Sequence, residues 1–132
     1  MAKLGVFIHF DGNCNDALKF YAKVFGTTTG MIMRYGDAPG IDAMGFEDRI
    51  TYSDMMIGSE NVMFSDMPPQ DKHVVGNNFA LSYSDTDQDK LHNIFTQLSE
   101  GGNVIMPMGK TFFSELYGMV TDKFGITWNI MV

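Results

Sequence analysis

The stretch V120-T-D-K-F-G-I-T-W-N-I-M-V132 decides how this chain folds. An Asp followed three residues on by a Gly marks a turn, and the residues after it alternate in character as a half-buried strand does. Ile126, Trp128, Ile130 and Val132 fall on one face of that strand, and Thr127, Asn129 and Met131 on the other. The apolar set claims a core. Asn129 is then either a solvated edge residue or part of the lining of a site.

Upstream of this strand the chain holds two copies of one pattern. Val6 to Phe10 predicts a strand, closed by the turn chemistry of D11-G-N13. Asn13 is a candidate N-cap for a helix to about Phe25, because Ala17, Leu18, Tyr21, Val24 and Phe25 recur at the spacing of one helical face. Gly26 stops it. Thr27 to Arg34 predicts a second strand, and Arg49 to Ile57 with Val62 to Asp66 a hairpin through the turn G58-S-E-N61. Between them, residues 34–48 carry three Gly and a Pro, which predicts a long mobile loop acting as a lid or rim.

After a polar connector over residues 68–76, the first pattern returns. Asn78 to Tyr83 predicts a strand, and S84-D-T-D87 caps a helix from Gln88 to about Glu100 with Leu91, Ile94, Phe95 and Leu98 inward. Gly101 and Gly102 end it. Short strands follow near Val104 to Met106, from Phe113 to Val120, and in the closing stretch. Shifting the sequence by 73 residues lays Ile8 on Leu81, Phe10 on Tyr83, Asp16 on Asp89, Leu18 on Leu91, Tyr21 on Ile94 and Phe25 on Leu98. That is an internal duplication. Each half reads β-α-β-β-β, with module 1 over about residues 3–67 and module 2 over about 77–132, in one α+β domain of mixed sheet with helices on the outside. A half of this size has a helix for one face of its sheet and nothing for the other. Pairing two halves predicts a cup between them, and concave, largely apolar clefts are where small ligands bind.

Composition narrows the function classes. Nine Lys and Arg against sixteen Asp and Glu leave a formal charge of −7 with no basic cluster, so a phosphate backbone is repelled and nucleic-acid binding is not expected. Cys14 stands alone, which rules out an intrachain disulfide and fits a reduced, cytoplasmic setting. The opening apolar run gives way to D11-G-N13 after a few residues, too short for a signal or membrane segment, so no membrane partner is expected. Twelve Met and eleven Phe supply either a soft, well-filled core or an adaptable apolar cavity.

Three motifs, F10-D-G-N13, F20-Y-A-K-V-F-G26 and T121-D-K-F-G-I-T-W128, together with S65-D-M-P68, resemble the PhnB-like branch of the glyoxalase / bleomycin-resistance / extradiol-dioxygenase (vicinal oxygen chelate) superfamily. The resemblance runs in order along nearly the whole chain. It implies two β-α-β-β-β modules forming a cup, a homodimer, and, in the members that are enzymes, a divalent metal held by His, Glu or Gln. Carried onto this chain, the four ligand positions fall on Gly5 or Val6, around Met63 to Ser65, on Asn78 and on Asn129. Neutral amides cannot supply the charge that replaces a cation's water. His9 and Asp66 lie near the first two positions but fall short of a site, so no metal and no other cofactor is expected.

The candidate cup-lining residues are Phe7, His9, Met63, Asn78, Phe113, Glu115, Tyr117, Thr127 and Asn129. Phe7 and His9 face the cup if Ile8 and Phe10 pack on the helix. His9 is then a hydrogen-bonding or basic group, or a half-buried His satisfied by a neighbour. Asn78 and Asn129 orient a polar ligand, or bond to each other or to backbone. Phe113 or Tyr117 stacks on a ligand with Glu115 as counter-charge for a cation, or the segment simply packs. Cys14 in the first turn of a helix has no His partner and reads as an inert thiol, and His73 and His92 read as solvated. No G-x-G-x-x-G opens a helix, so binding of a dinucleotide or a methyl donor by a Rossmann-type loop has no support, and G109-K-T111 lacks the upstream Gly of a P-loop. The expected function is a metal-free binding protein for a small apolar or aromatic ligand, cationic where Glu115 is its counter-charge. The alternatives are a metal-dependent lyase, isomerase or dioxygenase of the same superfamily, and a dimeric structural protein.

Overall fold

The chain starts its first strand, β1 (Phe7–Phe10), with residues that alternate between outward-facing Phe7 and His9 and inward-facing Ile8 and Phe10. A computed structural model describes all of residues 1–132. It comprises two compact units, Met1–Val74 and Val75–Val132, each a four-stranded mixed sheet with one helix.

In the first unit, α1 (Cys14–Phe25) buries Cys14, Ala17, Leu18, Tyr21 and Val24, the face that the three-and-four spacing predicts. It ends on Gly26, whose left-handed φ of 62° suits the residue without a Cβ. Its start corrects the sequence expectation. The Asn13 side chain accepts from Asp11 N–H and caps nothing, while Asp66 Oδ1 accepts from the backbone N–H groups of Gly12 (2.8 Å) and Cys14 (3.0 Å). Asp66 Oδ2 accepts from Ile50 N–H as well. A carboxylate at a helix N-terminus satisfies orphan donors and suits the dipole; here it comes from the end of a distant strand.

The strands β2 (Thr29–Arg34), β3 (Ile50–Ile57) and β4 (Glu60–Asp66) complete the sheet in the order β1-β4-β3-β2. β1 runs parallel to β4 with Phe7 beside Met63 and His9 beside Ser65, and β3 is antiparallel to both β2 and β4. Ser53, Met55, Val62 and Phe64 face α1 and are buried, with Tyr21 stacked on Phe64 at 5.8 Å. The segment expected to be a mobile lid is pinned at its base. Tyr35 N–H donates to Arg49 C=O, Gly36 N–H to Glu47 C=O and the Arg34 guanidinium to Asp48 C=O, while the buried Tyr35 hydroxyl donates to Asp66 C=O at 2.7 Å. Ala43 and the Tyr35–Phe46 ring pair add apolar anchorage.

The second unit repeats the plan. The strands β5 (Leu81–Ser84), β6 (Asn103–Gly109), β7 (Tyr117–Thr121) and β8 (Thr127–Met131) lie in the order β5-β8-β7-β6, with β5 parallel to β8. The helix α2 (Gln88–Ser99) is capped by Asp87, which accepts from Lys90 N–H, and it buries Leu91, Ile94, Phe95 and Leu98 as expected. β8 has the predicted alternation: Trp128 and Ile130 are buried on the α2 side, and Thr127, Asn129 and Met131 are half-buried on the other. β5 begins at Leu81, so Asn78 lies outside it, exposed. Neither helix is long and apolar enough to cross a membrane.

Candidate functional site

The motif residues prove to be builders of the fold. Asp122 Oδ1 accepts from Phe124 N–H (2.8 Å) and Ile126 N–H (3.1 Å), and Oδ2 from the Trp128 indole N–H at 3.0 Å. This one carboxylate thus shapes the β7–β8 turn, whose Gly125 needs φ +85°, and satisfies the polar atom of the only Trp in the chain. Asp11 pairs with Arg49 at 2.9 Å, and Arg49 also donates to Met67 C=O. Cys14 is buried, and that burial, with the Asp66 charge as a smaller cause, pushes its pKa up to about 12. A thiol held so far from ionisation is no nucleophile at neutral pH.

Side chains available for chemistry stand on the sheet faces turned away from the helices. In the first unit these are Phe7, His9, Tyr52, Asp54, Asn61, Met63 and Ser65. His9 Nδ1 and Ser65 Oγ share a hydrogen bond of 2.7 Å, Phe7 stacks on His9 with ring centres 4.7 Å apart, and Phe7 meets Tyr52 edge to face at 5.9 Å. The structure therefore brings the predicted Phe7, His9 and Met63 together, and gives His9 a partner. His73, expected to be solvated, is half-buried and donates from Nε2 to the His9 carbonyl, holding the connector against edge strand β1. Tyr52 and Asp54 escaped the sequence reading, though the alternation of β3 alone puts both on this face. The Tyr52 hydroxyl donates to Asp54 Oδ2 at 3.1 Å, and partial burial, reinforced by that bond, raises its pKa.

In the second unit the corresponding face carries Ser82 on β5, Thr127, Asn129 and Met131 on β8, and Tyr117, Met119 and Thr121 on β7. Asn129 stands between Ser82 and Met119. Its Oδ1 is buried and accepts no hydrogen bond. Thr127 is occupied with Thr121, hydroxyl to hydroxyl at 2.8 Å, and Ser82 is directed to the Met131 sulfur at 3.7 Å. Phe113 packs edge to face on Tyr117 at 5.1 Å, next to the same face. Glu115 lies 3.6 Å from Lys110, both exposed. Asn78, three residues before β5, does not reach the strand position beside Asn129, which Ser82 holds. The signal for Ser82 was in the duplication, because the same 73-residue shift lays His9 on Ser82. His9 with Ser65 and Ser82 with Asn129 are therefore matching pairs across the first and last strands of their sheets; the first pair is hydrogen-bonded and the second is not.

A metal does not fit these residues. No three of His, Cys, Asp and Glu are placed to hold an ion, and the four carried-over positions offer amides, a thioether, hydroxyls and backbone.

A protein-family model described as 3-demethylubiquinone-9 3-methyltransferase matches residues 2–131. The chain is 28% identical to the protein YjdN of Escherichia coli K12 over 98% of its own length and 94% of that protein's. The crystal structure of protein PA1353 from Pseudomonas aeruginosa is similar at TM-score 0.85 and 30% identity, covering 98% of this chain and 97% of that one. The PhnB protein from Bacillus cereus is similar at TM-score 0.82 and 24% identity, with 98% of each chain covered. A glyoxylase/bleomycin resistance protein/dioxygenase domain from Frankia shares the fold at TM-score 0.70 and 12% identity, covering 100% and 97%.

Proposed function

Since this chain belongs to the PhnB-like branch of the glyoxalase / bleomycin-resistance / dioxygenase superfamily, we propose that it binds a small molecule without the help of a metal. The observation that carries this reading is the orphaned Oδ1 of Asn129. A buried acceptor left unpaired costs about 1–3 kcal/mol, and native proteins rarely keep one without a use. A ligand that donates an N–H or O–H there, with an apolar body against Met119, Met131 and Tyr117, relieves that cost on binding. Ser82, able to turn from the Met131 sulfur to a better partner, adds a second polar contact.

The methyltransferase of the family's description forms no part of the proposal. α1 opens on D11-G-N13 and α2 on S84-D-T-D87, neither a glycine-rich loop for a methyl donor. We further propose a homodimer in the cytoplasm, on the family resemblance and on the lone free Cys14.

A thermal-shift survey of a chemically diverse compound set, run on the wild type and on Asn129→Leu side by side, tests the reading. Compounds that stabilise the wild type and carry a donor group are expected to lose that effect in the variant. No stabilising compound, or compounds indifferent to the substitution, would sink it.

A further inference from the structure

The first unit carries a second and chemically different feature. Four residues cross the sheet in one row on the face away from α1: Phe7 on β1 beside Met63 on β4, Met63 beside Asp54 on β3, and the Met31 N–H of edge strand β2 donating to Asp54 Oδ1 at 3.0 Å. Asp54 Oδ2 accepts from the Tyr52 hydroxyl at 3.1 Å and from the Asn61 amide at 3.5 Å. A Cβ at Gly30 would collide with Asp54 Oδ1, so glycine at that position is what lets the carboxylate lie against β2.

These contacts leave Asp54 in an unusual state. A carboxylate has about four lone-pair sites, of which three meet donors here. All three donors are neutral, and no Lys, Arg or His pairs with this half-buried side chain, whose hydrogen bonding is nearly satisfied. Beside it on the same face are Tyr52, which donates to it, and Met63, and beyond Met63 stands Phe7, whose ring meets Tyr52 edge to face. What such a place lacks is positive charge, and it has little use for further donors. A primary ammonium or a guanidinium brings several N–H groups that would find few acceptors, whereas a methylated ammonium brings charge, an apolar surface and no donors. The formal charge of −7 draws cations to the protein in general.

We propose that the Phe7–Met63–Asp54 row, with Tyr52 beside it, is a binding site for a quaternary ammonium group. Its residues belong to the sheet of the first unit, whereas Asn129 belongs to the sheet of the second. Isothermal titration with choline and with its neutral isostere 3,3-dimethylbutan-1-ol tests it. Choline is expected to bind about tenfold or more tightly than the alcohol, the range open to a partly desolvated cation on aromatic rings beside a carboxylate. In Asp54→Asn, which keeps an acceptor for the Met31 N–H, the preference for choline should fall to about twofold or less, while Phe7→Leu should reduce it about threefold. Asn103→Leu, on exposed strand β6 and outside both sites, should leave it unchanged, and because the readout is a preference for charge, failure here is told apart from failure of the Asn129 thermal-shift test. Equal binding of the two probes, no binding of choline, full preference retained in Asp54→Asn, or its loss in Asn103→Leu would each overturn the proposal. If Asp54→Asn does not fold, Phe7→Leu decides alone, and an undiminished preference there counts against the site.

Discussion

Replacing Asn129 by Leu should raise the stability of the unliganded protein. The Oδ1 atom it removes is buried and unpaired, and the penalty relieved is about 1–3 kcal/mol. Leu repeats the branching of Asn with the same number of side-chain heavy atoms, so no cavity opens, and any crowding from its larger methyl groups subtracts from the gain. With an unfolding entropy of about 2.1 cal/mol/K per residue, 132 residues carry about 0.28 kcal/mol/K, so the gain corresponds to a rise in Tm of roughly 4–11 °C. Scanning calorimetry reads the shift directly, and urea unfolding followed by the fluorescence of Trp128 reads the free energy. Leu also favours strands more than Asn does. The control is Asn103→Leu on the exposed edge strand β6, which shares that preference but relieves no buried acceptor; it should move Tm by no more than about 2 °C. A Tm for Asn129→Leu at or below that of the wild type, or no higher than the control's, refutes the idea that Asn129 is kept at a cost to stability. The expected pattern, a more stable protein that no longer binds, is the trade-off met where a site is maintained against the fold's own interest.

Two further outcomes follow from the buried carboxylate and the thiol. Asp122→Ala strands the Trp128 indole N–H and two backbone N–H groups, so it should cost about 3 kcal/mol or more and move the Trp128 emission, both measurable in one urea titration; a loss below about 1 kcal/mol would mean that the turn does not depend on this residue. Cys14 has a folded pKa raised from 9.0 to about 12, so its thiol should resist a disulfide reagent at pH 8 until the protein is unfolded. The same shift fixes a sign: the stability it represents is full below pH 9 and is lost as pH rises from 9 toward 12, a decline that Cys14→Ala should abolish in alkaline denaturation curves.

What the sequence disclosed and what it withheld divide along physical lines. Period-two alternation over residues 126–132 and the three-and-four spacing on both helices depend only on which face is wet, so the strand faces and helix cores were legible. The 73-residue repeat made both modules legible together. Failures came where a partner lies far along the chain. Asn13 has the right residue type for a cap, but Asp66, 52 residues from Cys14, takes the helix donors. The anchorage of residues 34–48 was hidden in the same way, because the Tyr35 hydroxyl donates to Asp66 C=O, 31 residues on. Asn78 was misplaced because β5 starts at Leu81, and a slip of that kind changes which residue meets β8. The motifs that carried the resemblance, above all T121-D-K-F-G-I-T-W128, are conspicuous because turns and caps need particular residues. They announce the fold and say little about the chemistry.

That α1 borrows its cap from the end of β4 also orders events in time. The β3–β4 hairpin can close locally, but β1 must find β4 across more than fifty residues, a slow search by comparison. Until it does, the first turn of α1 has its donors open to water and frays. Protection of the Gly12 and Cys14 amides from hydrogen exchange is therefore a clock for completion of the whole module: the helix is finished last at the end where the chain made it first.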